Sequence, residues 1–147
     1  MVDGIPLSPT TTLLAVARAW ELTLNEAFKP LGLTSRRYGM LAHIRSAPGI
    51  SFSELARRSG ISVQSVHVTV AGFIASGLVD DRSVQSGAAA HLSISTDGEK
   101  LLARAADVMS AVDDKFFSNA PDLAGALREH AMRWASRERR PGEPGGG

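Results

Sequence analysis

Residues 53–77 hold two short amphipathic stretches that are separated by two residues, Gly60 and Ile61. The first stretch, SELARRS, has the apolar spacing of a helix that begins at residue 53, and the glycine ends it. The second, SVQSVHVTVAGFIASG, is ambiguous because the valines between Val66 and Val70 alternate with polar residues, which is typical of a strand. We interpret it as a helix, since Ser62 stands at an N-cap position and the apolar residues also recur at intervals of three and four. A strand here would leave the preceding amphipathic helix without a partner.

This interpretation gives the second helix a core face and an outer face. Its β-branched residues disfavour a helix by a few tenths of a kcal/mol each, which tertiary packing offsets. The residues predicted to face the core are Val66, Val70, Phe73 and Ile74. The residues predicted to face outward are Gln64, Ser65, His67, Val68 and Thr69.

Apolar periodicity and turn residues predict the elements on either side of this helix pair. A first helix, capped by a threonine at 10–12, precedes a second helix that is capped by Thr34 or Ser35. The remaining predicted elements are a short extended piece at 50–52, hairpin strands at 78–82 and 91–95, and helices at 97–117 and 121–135. The predicted fold is therefore mainly α with a small β-hairpin wing, a winged helix-turn-helix. Residues 1–10 are predicted to be flexible and the tail 136–147 to be disordered.

Composition excludes several classes of site. The chain has no cysteine, which excludes disulfides, thiolate nucleophiles, thiol redox sensing and cysteine zinc sites. The four histidines are scattered without ligand-like spacing, and no nucleophile elbow or phosphate loop is present. The sequence therefore predicts no enzyme, no metal and no cofactor. With neither a basic, apolar leader nor a membrane-length apolar run, it predicts a cytoplasmic protein without a membrane partner.

The charge is unevenly distributed along the chain. The formal net charge is only +1. Between residues 34 and 82, six arginines stand against three acidic residues, whereas residues 97–115 hold five acidic residues against three basic ones. The first region is thus suited to face an anion, and the second is not.

The order and spacing of short motifs over about residues 12–135 resemble the MarR family of bacterial transcription regulators. Each motif is weak when taken alone, and the resemblance rests on their combination. The matching residues are Tyr38, Leu41, Leu55-Ala56, Gly60-Ile61-Ser62, Gly77-Leu78-Val79, Arg82, Ile94-Ser95 and Gly98.

The resemblance implies a homodimer in which the first, fifth and sixth helices of each chain interlock. Residues 11–33 and 97–135 would form this helical dimerisation region, and residues 34–96 the winged helix-turn-helix DNA-binding domain. Eight large apolar residues in the dimerisation region exceed what one small wing domain covers, although an intramolecular core is the alternative for each. They are Leu13, Leu14, Trp20, Leu24, Phe116, Phe117, Leu127 and Trp134.

The resemblance also implies binding to palindromic double-stranded DNA, with the recognition helix in the major groove and the wing in the minor groove. The candidates for base contacts are Gln64, Ser65, His67, Val68 and Thr69. The candidates for phosphate contacts are Arg36, Arg37, Arg57, Arg58 and Ser62, with Arg82 at the base of the wing. The alternative for each arginine is a solvated surface charge.

Two departures from the family pattern concern charge. No lysine or arginine lies between Ser62 and Gly77, and the wing loop at 83–90 has no charged residue. A neutral wing displaces no counterions from a minor groove. DNA affinity is then low, or specificity rests on polar and apolar base contacts such as Val68 against a thymine methyl, or the protein no longer binds DNA alone.

Members of the family often release DNA when a small aromatic effector binds between the dimer helices and the wing domain. The positions that would form such a pocket here are Trp20, Leu24, Tyr38, His43 and Arg45. The alternative for Trp20 is the dimer core, and for His43 a structural hydrogen bond. The sequence thus predicts a homodimeric repressor that a small molecule releases. The alternative function is a winged-helix binding module that acts through a small ligand or a protein partner.

Overall fold

The computed structural model describes residues 8–81 and 91–138 of the chain. Within these ranges the fold is a winged helix-turn-helix, mainly α with one two-stranded antiparallel hairpin. None of the helices that the structure describes combines the length and apolar character needed to cross a lipid bilayer. The elements are α1 (Pro9–Phe28), α2 (Ser35–Ser46), α3 (Phe52–Ser59), α4 (Val63–Ala75), β1 (Val79–Asp81), β2 (Leu92–Ile94), α5 (Thr96–Asn119) and α6 (Pro121–Glu138), with a short 3-10 turn (Lys29–Leu31) after α1.

The first helix begins earlier than the sequence predicts. The hydroxyl of Ser8 accepts a hydrogen bond from the Thr11 amide at 3.4 Å, and Pro9 occupies the first turn. The prediction of a threonine cap at 10–12 is therefore wrong. A proline at the start of a helix already has the required φ and has no amide to leave unpaired, so the serine before it is the better cap.

The caps of the next two helices were predicted with different success. Thr34, one of the two residues predicted to cap α2, is the cap and accepts from the Arg37 amide at 3.2 Å. Ser51 caps α3, because its hydroxyl accepts from the Glu54 amide at 3.1 Å, so the helix begins at Phe52, one residue before the predicted start at residue 53. The predicted extended piece at 50–52 is consequently reduced to an isolated bridge between Ile50 and Leu92.

The ambiguous segment is a helix, as predicted. Ser62 caps α4 by accepting from the Ser65 amide at 3.1 Å. Val66, Val70 and Phe73 are fully buried, whereas Ile74 is 40% exposed and does not face the core as predicted. Each helical residue is rotated by about 100° from the last, so Ile74 lies at the edge of the buried stripe, next to Val70 and away from Phe73.

The hairpin is shorter than predicted, with three residues in each strand. Val79 pairs with Ile94, and Asp81 pairs with Leu92. The inward side chains Val79 and Leu92 are buried. The predicted wing loop and Arg82 lie outside the described residues.

The base of the hairpin is tied closely to the start of α5. The Ser95 hydroxyl donates to the Gly77 carbonyl at 2.5 Å and accepts from the Gly98 amide at 3.0 Å. A Cβ at Gly98 would collide with the carbonyl oxygen of Leu78 and with the side chain of Ile94. Position 98 therefore requires glycine for close approach between helix and hairpin.

The chain forms two compact units, one ending at Met109 and the other starting at Ser110. The core of the first unit consists of apolar side chains from α1, α2, α3, α4, the hairpin and the start of α5. Its largest fully buried members are Phe28, Met40, Leu41, Ile44, Leu55, Val66, Val70, Phe73, Val79, Leu92 and Leu102. In the described part of the second unit, Val112 and Ala124 are buried.

Candidate nucleic-acid interface

A tight turn connects α3 to α4 and fixes the direction of the second helix. Gly60 has a φ of 65°, a left-handed conformation that favours glycine. The Ile61 amide donates to the Ala56 carbonyl at 3.2 Å, which closes the end of α3 before Ser62 begins α4. Leu55 and Ala56 on α3 and Val66 and Val70 on α4 are buried in the same core. The pair thus presents the opposite face of α4 to solvent.

The outer face of α4 carries no charge. Val63–Ala75 contains no acidic residue, lysine or arginine. A rotation of about 100° per residue places Gln64, Val68 and Ala71 on the side directly opposite the buried valines. All three are exposed, and Val68 is 71% exposed. This face therefore offers one amide and an apolar surface to a partner.

The polar residues beside this face already form hydrogen bonds within α4 and its N-cap. The Ser62 hydroxyl donates to the Ser65 hydroxyl at 2.9 Å, so the two serines form one linked pair at the helix start. The Thr69 hydroxyl donates to the Ser65 carbonyl at 3.0 Å, and Thr69 is only partly exposed. Of the predicted base-contacting set, Gln64 and Val68 have the least involvement with the rest of the protein.

His67, another predicted base-contacting residue, packs against α3. Its ring is stacked on that of Phe52, with centroids 4.1 Å apart and planes inclined by 14°. The imidazole remains exposed to solvent while it joins the two helices of the pair. The sequence did not predict this contact, because no local spacing rule relates two residues that lie on different helices.

Two of the predicted phosphate-contacting arginines share one carboxylate. Arg57 donates to Glu54 through Nε at 2.8 Å and Nη2 at 2.7 Å, and Arg58 donates through Nε at 2.8 Å. The hydrogen bonds from Arg57 and Arg58 lower the pKa of Glu54 to about 2, and the hydrogen bond to Glu54 raises the pKa of Arg57. Glu54 therefore stays ionised at neutral pH. The i,i+3 and i,i+4 spacing could have predicted this cluster.

The two arginines at the start of α2 differ in their surroundings. Arg36 is exposed. The guanidinium of Arg37 lies 5.1 Å from the centre of the Phe73 ring, and its Nε is buried without a hydrogen-bond partner. Arg37 therefore packs over α4 as well as carrying a charge, which a fully solvated arginine would not do.

The predicted effector residues do not form one compact group. Leu24 and Tyr38 both pack against the core, and the Tyr38 ring lies 5.5 Å from that of Phe28. Arg45 lies seven residues after Tyr38, about 10 Å along the helix axis. Its guanidinium is 3.9 Å from the carboxylate of Glu99 on α5. Trp20 and His43 are each partly buried.

A separate cleft lies beside the hairpin. Its volume is about 350 Å³. The lining residues are Pro48, Gly49, Asp80, His91, Leu92, Ser93 and Ile94. None of the five predicted effector residues lines this cleft, so it gives no support to their assignment.

Comparison with known proteins gives a consistent set of relatives. A sequence model described as MarR family matches residues 31–88. The HTH-type transcriptional repressor Rv2887 of Mycobacterium tuberculosis is 31% identical over 114 residues, which cover 77% of this chain and 81% of that protein. The crystal structure of the M. tuberculosis MarR family protein Rv2887 with salicylic acid has 27% identity and a TM-score of 0.69, covering 90% of this chain and 98% of that chain. Its crystal structure with DNA has 22% identity and a TM-score of 0.73, covering 88% and 98% respectively, a likeness that concerns the fold.

Proposed function

The chain belongs to the MarR family of transcriptional regulators, which are not enzymes, and we propose that it is a homodimeric repressor. In this proposal the dimer binds a palindromic DNA site in the cytoplasm, and a small aromatic acid releases it. The observation that carries the proposal is the outer face of α4. A capped, well-packed helix there holds Gln64 and Val68 opposite the core, where base edges in a major groove would meet them.

The phosphate contacts in this proposal come from the elements that flank α4. Arg36 on α2 and Arg57 on α3 are exposed, and Arg57 has 72% of its side chain accessible. The start of α4 adds backbone amides, together with Ser62, at the positive end of the helix dipole. Arg37, Arg58 and Arg82 complete the proposed phosphate-contacting set, and Ser65, His67 and Thr69 complete the proposed base-contacting set.

Exposed apolar side chains on both units support the dimer. In the first unit, Leu13 and Leu14 of α1 are 53% and 66% exposed. In the second, Met132 and Trp134 of α6 are 65% and 62% exposed. Burial of one such side chain contributes about 1.5–3 kcal/mol, which contact with a second copy would supply. A second copy of the chain would bury these residues.

An aromatic carboxylic acid is the effector class that we propose. The relative Rv2887 has been crystallised with salicylic acid and with p-aminosalicylic acid. In this chain Trp20, Leu24 and Tyr38 are the proposed ring contacts, and His43 and Arg45 are the proposed carboxylate contacts. Because Tyr38 and Arg45 lie about 10 Å apart along α2, one small acid would not contact all five residues of a single chain. Among the described residues, Arg45 forms one long, exposed ion pair, with Glu99, so a ligand carboxylate could replace that partner.

The test is binding to the DNA upstream of the protein's own gene over a series of salt concentrations. We expect specific binding that Gln64→Ala weakens mainly on the preferred sequence, by about tenfold. Arg57→Ala should weaken binding to all sequences alike and reduce the salt slope by about 1. Arg104→Ala, at an exposed arginine on α5, is the matched control and should bind as the wild type. Binding that never exceeds the non-specific level, even at low salt, would contradict the proposal.

A second candidate function is a binding module that acts through a small ligand or a protein without contacting DNA. Two observations favour it: α4 has no lysine or arginine, and the Glu54 carboxylate already accepts hydrogen bonds from Arg57 and Arg58. Calorimetric titration with salicylate separates the candidates. Salicylate binding by a protein that binds no DNA would support the module.

A further inference from the structure

Val68 is a large apolar side chain that packing within the described part of the chain does not explain. Its 71% exposure is higher than that of the next most exposed large apolar residues of the described part of the chain, Leu14, Met132 and Trp134. It lies in the middle of α4, where a β-branched residue forms a helix less readily than alanine does. A residue that satisfies neither packing nor helix propensity is a candidate for a functional contact.

The position of Val68 relative to the buried stripe identifies what it faces. Val66, Val70 and Phe73 define the core side of α4, and Val68 lies almost opposite their mean direction. Gln64 lies on the same side of α4 one turn earlier, about 6 Å along the axis, which is roughly the rise of two base-pair steps. Gln64 and Val68 together form an outer ridge on α4. The remaining large apolar residues of α4 that are partly exposed, Val63 and Ile74, lie at the edge of the core stripe instead.

The chemistry of this ridge limits what it distinguishes in a major groove. An amide side chain forms two hydrogen bonds with adenine, and an aliphatic side chain contacts the 5-methyl group of thymine. Guanine is usually read by arginine or lysine, and α4 has neither. The ridge is therefore suited to A·T pairs and poorly suited to G·C pairs.

We propose that Val68 determines sequence specificity by packing on the methyl group of one thymine in each half-site, with Gln64 on an adenine about two base pairs away. The inference rests on the proposed DNA binding and makes it more specific. Counterion release plays no part in this contact, so the discrimination persists at salt concentrations that weaken overall binding.

The experiment removes the methyl group without changing the hydrogen bonds of the base. The wild-type protein first selects its preferred site from a random DNA pool. Each thymine of that site is then replaced by deoxyuridine, one symmetric pair of positions at a time. We expect one pair to weaken the wild type by about fourfold per half-site, the loss that corresponds to burying one methyl-sized group. Replacement of that thymine by 5-methylcytosine should be tolerated better than replacement by cytosine.

Two variants assign the effect to Val68. Val68→Ala should bind the thymine site more weakly than the wild type and should distinguish thymine from deoxyuridine less strongly, because its shorter side chain buries less of the methyl group. Its thermal midpoint should equal or exceed that of the wild type, because alanine favours the helix and no core contact is lost. Val63→Ala is the matched control, the same change on the same helix about 140° away, and should keep the wild-type sensitivity to deoxyuridine.

The outcomes separate this inference from the proposed function. Wild-type protein that selects no DNA sequence would overturn the proposed function, and this inference with it. Specific binding that is unchanged at every deoxyuridine position would overturn the inference alone. The inference alone would also be overturned if Val68→Ala and the wild type lost the same affinity when thymine is replaced by deoxyuridine.

Discussion

A single carboxylate reduces the positive charge that the helix pair can offer to DNA. Glu54 accepts three hydrogen bonds of 2.7–2.8 Å from Arg57 and Arg58, so the three residues carry a net charge of +1. The cluster is exposed, and its contribution to stability is correspondingly small. Its main consequence is that the two guanidinium groups already have an anionic partner before any phosphate approaches.

Glu54→Gln should therefore strengthen DNA binding and make it more dependent on salt. Loss of the carboxylate frees the two arginines for phosphates, and the slope of log K against log salt should steepen by about 1 to 2. The measurement is binding affinity across a salt series. Glu99→Gln, which removes the partner of Arg45 and leaves α3 unchanged, is the control. An unchanged slope in Glu54→Gln would show that Glu54 does not keep either arginine from a phosphate.

At the scale of the element, the helix type was predictable and the ends were not. Intervals of three and four among Val66, Val70 and Phe73 outweighed the strand-like alternation, because burial of that stripe is worth more than the propensity of the exposed residues. The start of α3 was misplaced because Ser51 and Ser53 are both acceptable caps. Backbone geometry decides between them: Ser51 is extended, with φ −76° and ψ 158°.

Spacing along the sequence also explains which contacts at the site were predictable and which were not. The Glu54 cluster has helical spacing and could have been predicted. The Phe52–His67 stack and the placement of Arg37 over Phe73 depend on the crossing of different helices, which no single-sequence spacing contains. The outward direction of Gln64 and Val68 followed from periodicity alone.

The two serines of the α3 start can be compared directly. Ser51→Ala should lower the free energy of unfolding by about 1 kcal/mol, because the Glu54 amide loses its acceptor. Ser53→Ala should change it by less than about 0.5 kcal/mol, since Ser53 is an exposed residue inside the first turn. Urea unfolding of both variants checks this. Equal losses from the two variants would contradict the assigned cap.

At the scale of the whole molecule, the exposed apolar residues of α1 and α6 determine the assembly that we propose. Two copies of the 15.5 kDa chain would place these residues in an interface and would present two copies of α4 to the two halves of a palindrome. A monomer would bind each half-site independently and much more weakly, because the second contact would no longer be intramolecular.

Trp134→Asp should therefore convert the dimer to a monomer and reduce DNA affinity by at least about 100-fold. Sedimentation velocity measures the first effect, and DNA titration the second. Val68→Asp is the matched control, because Val68 is as exposed as Trp134 but lies on α4. It should remain dimeric while losing DNA binding. A Trp134→Asp variant that sediments at the mass of the wild type would contradict the proposed interface.

The close approach at Gly98 has a consequence for how the start of α5 and the hairpin move. Because the carbonyl of Leu78 and the side chain of Ile94 occupy the space of a Cβ, and Ser95 bonds both sides, the first turn of α5 and the root of the hairpin form one rigid piece. A displacement of the first turn of α5 should therefore move β1 and β2 with it.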